Sequence, residues 1–347
     1  MTLVRDADPT VPEVLAAYGQ RIVDALDSYL PETEPRVHLW DLVAEYPRRR
    51  GKAIRPSLCL ATCGAFGGAV EEALPSAVAM ELLHHAFLVH DDLEDGSELR
   101  RGAPTLHRVA GVPLAVNAGD ALALVAARPL RDNQERLGAR MAALVADEFD
   151  RMARHTVEGQ AIELGWRRDA PVELTPDDYL DLIMRKTCWY TTIHPLRVGA
   201  LIGSWARTDL DRFVRFGFYL GAAFQIRDDV LNLVGEEVDY GKELLGDLYE
   251  GKRTLMLNHV VTASVGEEHG RLVAFLGRER DDRSPDDVVE VLDAMRRHGS
   301  IEFAQSLGRG IADAAHSAFE EAFADVRDGP DRRFVEALIP WMLDRQS

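Results

Sequence analysis

Apolar residues in this 347-residue chain recur at three- and four-residue spacings, and no stretch of any length alternates with the two-residue period of a strand. Segments 13–30, 55–66, 74–95, 139–164, 178–205, 210–235 and 300–326 all carry the helical period. Such a chain buries its apolar stripes by packing helix on helix, so the expected fold class is all-α. Turn chemistry separates the segments at "PETEPR", "RRGAPT", "RRDAPVELTPDD", "RDDRSPDD" and "RDGPDRR". In "LTPDD", Thr175 is an expected N-cap with Pro176 at the first helical position. No linker, repeat or low-complexity tract divides the chain. The expectation is one all-helical domain over residues 13–343, behind a frayed N-terminus at 1–12. Gly199, Gly203, Gly217 and Gly221 fall inside helical segments, where close packing can use a missing side chain.

Charge and hydropathy remove several function classes. Lys and Arg number 40 against 58 Asp and Glu, a net charge of −18. That argues against a nucleic-acid surface and against adhesion to anionic lipid. The N-terminus lacks an uninterrupted apolar signal region, and runs such as "ALALVAA" at 121–127 fall far short of the ~20 residues that span a bilayer. A soluble cytoplasmic protein with no membrane span is expected. Cys59, Cys63 and Cys188 have no second ligand pair at metal spacing and read as buried thiols.

Two acidic clusters interrupt the apolar pattern. In "VHDDLEDGSELRRG", Asp91, Asp92 and Asp95 precede the adjacent Arg100 and Arg101; in "FQIRDDVLN", Asp228, Asp229 and Asn232 repeat the spacing. Asp91 and Asp95, at i and i+4, share a helix face, as do Asp228 and Asn232. Like charges so placed cost a helix a few tenths of a kcal/mol, and a cation compensates that. Oxygen-only donors suit Mg²⁺, which completes its octahedron with water and phosphate oxygens. Short groups of cations fit phosphate clamps: Lys52 and Arg55, Arg100 and Arg101, Lys186, then Lys242, Lys252 and Arg253. Neither GxxxxGK[ST] nor GxGxxG occurs, so a nucleotide loop is excluded.

From about residue 15 to about 340 the chain resembles the trans-isoprenyl diphosphate synthases, or polyprenyl synthetases. "GKAIRP", "ELLHHAFLVHDDLEDGSELRRGAPT", "NAGD", "RKT", "GAAFQIRDDVLN" and "GDLYEGKRT" carry the resemblance, in that order. It implies the isoprenoid synthase type I fold, a single helical bundle whose two Asp-rich motifs face each other across an apolar cavity. It implies Mg²⁺, three ions per site, held by Asp91, Asp92 and Asp95 on one wall and by Asp228, Asp229 and Asn232 on the other. By the same resemblance Arg100, Lys186, Lys242 and Lys252 contact an allylic diphosphate. Lys52, Arg55, His84 and Arg101 form the isopentenyl diphosphate site, and Thr187 and Gln225, with Lys186, flank the reacting centre beside Phe224.

The implied reaction is head-to-tail condensation of isopentenyl diphosphate with a dimethylallyl, geranyl or farnesyl starter, by a homodimer. Ala86 and Phe87, five and four residues before Asp91, are the implied floor of the product tunnel. Alanine at the first of them points to geranylgeranyl diphosphate, with farnesyl diphosphate next. A class I terpene cyclase shares the Mg²⁺–diphosphate chemistry but handles one diphosphate, and has no use for both cation groups. Three departures stand out: Asn232 replaces the last acid of the second motif, Arg50 and Ala53 replace a frequent Gly and Arg, and the C-terminus offers Arg345 but no basic tail.

Overall fold

Helix after helix follows the apolar pattern in the computed structural model, which describes residues 9–235 and 243–344. The first half contains α1 (Val11–Asp27), α2 (Asp41–Arg48), α3 (Ile54–Ala65), α4 (Val70–Glu94), α5 (Leu106–Ala110), α6 (Val112–Leu137) and α7 (Ala139–Asp169). Next come α8 (Pro176–Ile183), a π-helical segment (Met184–Ile193), α9 (His194–Gly203) and α10 (Arg212–Val234). The chain ends with α11 (Gly246–Glu250), α12 (Leu255–Ala263), α13 (Gly266–Leu276), α14 (Pro285–Arg297), α15 (Ser300–Ala322) and α16 (Pro330–Asp344). Most of the frayed N-terminus expected at 1–12, Lys242 and Arg345 lie outside the described residues; α1 already begins at Val11.

The all-α expectation holds, and several local ones hold with it. Thr175 caps α8, its hydroxyl accepting from Asp178 N at 3.2 Å while Asp178 accepts from Thr175 N at 2.8 Å. Cys59, Cys63 and Cys188 are buried free thiols. The in-helix glycines sit at close contacts: a Cβ on Gly199 or Gly203 would strike α3, and one on Gly217 or Gly221 would strike the π-helical segment. Outside the segments of clear helical period lie α2, α5, α6, α11 to α14 and α16, whose interior carries Pro340. In α6, Pro113 and Pro129 break up the pattern, yet Pro129 is buried and the helix runs through it.

Two apolar clusters hold the bundle. One joins α10, α12, α14, α15 and α16, with Phe213, Phe216, Phe319 and Phe323 edge-packed or stacked at its centre. The other joins α4, α6, α7 and α9 through Leu82, Leu122, Val145 and Leu201. The π-helical segment packs against both α7 and α10, wound one residue wider per turn than its neighbours. Such windings re-aim side chains and recur at functional sites. Gly159 of α7 lets its backbone approach, because a Cβ there would overlap the main chain at Lys186.

The one sheet among the described residues is a two-residue hairpin, Leu99–Arg100 against Ala103–Pro104, in antiparallel register. Its turn residues Arg101 and Gly102 both have positive φ, 54° and 74°. That is the requirement of a type I′ turn, the form that matches strand twist. The hairpin folds Arg100 back onto α4, and Arg49 of the α2 C-terminus clamps it through Arg100 O at 3.1 Å and Pro104 O at 2.8 Å.

Candidate active site

Between α3, α4, α7, the π-helical segment and α10 lies a cavity of about 730 Å³. Its first wall is one face of α4. His84, Phe87, Leu88 and Asp91 line it, at positions i, i+3, i+4 and i+7, which share a helix face. Asp91, Asp95 and Glu163 of α7 bring carboxylate oxygens to within 4.8 Å of one another. Lys186 reaches Asp91 Oδ1 at 3.2 Å and also pairs with Glu163. Lys252 reaches Asp95 Oδ2 at 2.7 Å and Glu250 Oε2 at 2.8 Å, and Arg167 closes on Asp95 from α7. Burial alone would lower the pKa of both lysines; the facing carboxylates outweigh it and hold both above the usual lysine range.

Asp92 departs from its expected role as a metal ligand. One residue on from Asp91, it turns about 100° away into the core. It is fully buried there, with Oδ1 accepting from Arg100 Nε at 2.8 Å and Oδ2 accepting from the Tyr46 hydroxyl. Arg100 is spent on that contact, 7% exposed at the cavity edge, with Asp91 Oδ2 3.7 Å away.

The opposite wall is α10, where Phe224, Gln225, Asp228 and Asp229 line the cavity. Thr187 donates to Gln225 Oε1 at 3.0 Å, and Gln225 Nε2 donates to Asp229 Oδ1 at 2.7 Å. The Tyr179 hydroxyl donates to Asp229 Oδ2 at 2.7 Å. Burial pushes the Asp229 pKa up to about 6, against the pull of those two donors. Asn232, expected as a weak ligand, does not line the cavity. Its Nδ2 donates to Glu243 O at 3.3 Å and its Oδ1 accepts from Asp247 N at 3.2 Å. An amide here ties the chain after α10 back to the helix, using a donor that aspartate lacks.

A second cationic group gathers at the N-terminal side of the cavity. Arg55 donates to the Tyr190 hydroxyl at 2.7 Å and to Thr191 Oγ1 at 2.9 Å, and stands 3.4 Å from His84 Nε2. Burial first, then the Arg55 charge, pushes the His84 pKa well down, so the imidazole is neutral. Arg101 lines the same end, opposed by buried Glu81. Gly51 lies beside it, and a Cβ there would press on the Arg101 guanidinium. Lys52 lies 5.7 Å over the Trp341 ring.

Ala86 and Phe87 part company. Phe87 lines the cavity with its ring edge-on to Tyr190 at 5.8 Å. Ala86 is 1% exposed and packs into the second apolar cluster. Glu163, Tyr190 and Glu250 were not read from the sequence. Glu163 stands alone between Gln160 and Arg167 at spacings of three and four, a polar stripe on α7 that was the available signal.

Polyprenyl synthetase is the family whose profile matches, over residues 37–295. A short chain isoprenyl diphosphate synthase of Methanothermobacter thermautotrophicus is 31% identical over 342 residues, 97% of this chain and 99% of that one. A (2E,6E)-farnesyl diphosphate synthase of Mycobacterium bovis is 32% identical over 307 residues, covering 86% and 80%. The crystal structure of a geranylgeranyl pyrophosphate synthetase from Pyrococcus horikoshii superposes with a TM-score of 0.81 at 30% identity, covering 96% and 98%. The isoprenoid synthase fold, the two facing acidic walls and a match over three quarters of the chain agree: this prenyltransferase belongs to the polyprenyl synthetase family.

Proposed function

We propose that the chain condenses isopentenyl diphosphate head-to-tail with an allylic diphosphate in a Mg²⁺-dependent reaction, and that its main product has twenty carbons. The observation that carries this reading is the pair of separate cationic groups at one cavity, one beside the acidic walls and one around Arg55. A single diphosphate substrate has no use for both.

The donor set fits magnesium, because Asp91, Asp95 and Glu163 already converge with oxygens alone. Those three would hold the metal from the first wall, and Asp228 and Asp229 from the second. Magnesium, when bound, supplies the charge that lets a diphosphate leave an allylic carbon. Lys186 and Lys252 remain protonated through the neutral range and add fixed positive charge to the same diphosphate. Arg55, Arg101 and Lys52 hold the second diphosphate, and neutral His84 offers it a hydrogen bond rather than a proton. Thr187 and Gln225, locked to each other and to Asp229, turn fixed dipoles toward the developing cation. Phe87, Leu88, Leu164, Leu182, Ile183 and Phe224 line the rest of the cavity and exclude water from it. The proton lost in forming the new double bond passes to an oxygen of the departed diphosphate.

Chain length follows from the floor. Phe87 and Tyr190 line the cavity one helical turn and more before the acidic wall while Ala86 is buried away from it, so in this reading Phe87 carries the floor role of the pair. Incubation with labelled isopentenyl diphosphate and each allylic starter, followed by dephosphorylation and separation by length, tests the proposal. The wild type is expected to stop at twenty carbons and Phe87→Ala at twenty-five or more. A wild-type product of fifteen carbons, with no lengthening in the variant, sinks the assignment.

A homodimer in the cytoplasm completes the proposal. Val112 and Val116 of α6, one turn apart, are exposed and offer an apolar patch to a second copy. Light scattering that returned the mass of one chain would contradict it. No helix among the described residues is long and apolar enough to cross a membrane.

A further inference from the structure

Arg100 and Arg197 are buried against carboxylates, Asp92 and Glu148. Arg283, as deeply buried as Arg100 at 7% exposure, makes no ion pair among the described residues. It stands in the connection between α13 and α14, directly after a 3₁₀ turn (Arg280–Asp282), and outside the cavity wall. Its Nη1 donates to Tyr249 O at 2.6 Å and its Nη2 to Leu276 O at 3.4 Å, with the guanidinium 5.2 Å over the Phe275 ring. Burial, and then repulsion from Arg167, push its pKa down to about 10, so it stays charged at neutral pH.

Both acceptors are carbonyls in a last helical turn, where the helix itself offers no partner. Leu276 ends α13 and Tyr249 is the last residue but one of α11, so one guanidinium caps two helices. Directly beyond, α11 closes with Gly251 N donating to Leu248 O at 3.1 Å and Lys252 N to Asp247 O at 2.9 Å, and Gly251 has a φ of 71°. That is a Schellman closure, which fixes the main chain of the residue after the left-handed glycine. This residue is Lys252, whose side chain lines the cavity and lies 2.7 Å from Asp95 Oδ2. Arg283 packs on the same glycine, and a Cβ on Gly251 would press on its guanidinium. Burying a guanidinium without a counter-charge is costly. Here its donors go to the turn that carries Lys252.

We propose that Arg283 is a positioning residue: by tying α11 to α13 behind the glycine turn, it aims Lys252 at the diphosphate on the acidic wall. Arg283 itself touches no substrate. The inference rests on the function proposed above, in which Lys252 adds charge to the allylic diphosphate. A planar fork holds two carbonyls at once, and a lysine in its place has the charge without the fork.

The test is a double-substitution cycle on the full chain with magnesium: wild type, Arg283→Met, Lys252→Ala and the pair. It reads affinity for inorganic diphosphate and the KM of each substrate. Arg283→Met is expected to weaken diphosphate binding and raise KM for the allylic diphosphate about tenfold, within what a misplaced contact costs. KM for isopentenyl diphosphate is expected to stay within about twofold. On the Lys252→Ala background the same change is expected to add less than about twofold, because the side chain it positions is gone. Arg283→Lys is expected to fall between Arg283→Met and wild type, and takes its place in the cycle if Arg283→Met does not fold. Arg278→Gln removes a cation from the same connection, one that pairs with Asp287 at 2.7 Å, and is expected to match wild type. Equal losses on the two backgrounds, or a lower melting temperature with diphosphate affinity unchanged, make Arg283 a packing residue and overturn the proposal. A Lys252→Ala variant that binds diphosphate like wild type overturns the role of Lys252 and the proposal with it. A wild type that binds no diphosphate overturns the function proposed above as well.

Discussion

Asp91→Asn is expected to reduce turnover by about 10²- to 10³-fold, the scale on which one preorganised charge contact at a reacting group acts. Its melting temperature is expected to stay within a few degrees of wild type. Asp91 keeps partial access to the cavity, with a side-chain exposure of 22%, and shares Lys186 with Glu163. The lysine therefore retains a carboxylate when Asp91 is neutralised, so the loss falls on substrate rather than on the fold. Steady-state kinetics at saturating magnesium checks this, with thermal denaturation alongside. Turnover within about threefold of wild type would remove Asp91 from the reacting site.

Asp92→Asn, one residue away, is expected to do the reverse. Asp92 faces Arg100 and Tyr46 in the core, and Arg100 has a side-chain exposure of 8%. Taking the charge from one partner of a buried pair leaves the other uncompensated, at a cost of about 3–5 kcal/mol. Chemical denaturation reads that loss directly as a lower midpoint. Tyr46 also accepts from Leu106 N at 3.3 Å, so the disturbance spreads to the start of α5. Double substitution of Asp92 and Arg100 by neutral residues of similar volume is expected to recover part of the loss. Unchanged stability in Asp92→Asn would mean that the pair is not the anchor of the hairpin. Adjacent acids of one motif thus separate into a cavity-facing and a buried residue, a difference set by the 100° between successive helix positions.

That division also marks what periodicity can and cannot reveal. The shared face of Asp91 and Asp95 follows from their spacing of four. Nothing in the spacing tells which way Asp92 turns, because that depends on a hairpin too short to leave an alternating pattern. Arg100 reaches Asp92 because Arg101 and Gly102 take left-handed conformations, and a non-glycine residue there is an uncommon choice. Glu163 joins the first motif only through the packing of α7 on the π-helical segment, 68 residues beyond Asp95 in the chain. Asn232 shows the opposite case. Its spacing matches that of a ligand, but its amide closes a backbone contact that only the folded chain brings into reach. The cationic groups were legible as groups; their partners were not, since Lys186, Lys252 and Arg55 each find carboxylates or hydroxyls from distant helices.

Release of diphosphate, followed with and without isopentenyl diphosphate in the presence of an allylic starter and magnesium, tests the central claim most directly. The two-diphosphate reading predicts release that depends on isopentenyl diphosphate, stops when a chelator removes the metal, and accompanies a lengthened prenyl chain. Release at the same rate without isopentenyl diphosphate would contradict it, and would leave the group around Arg55 and His84 without a substrate.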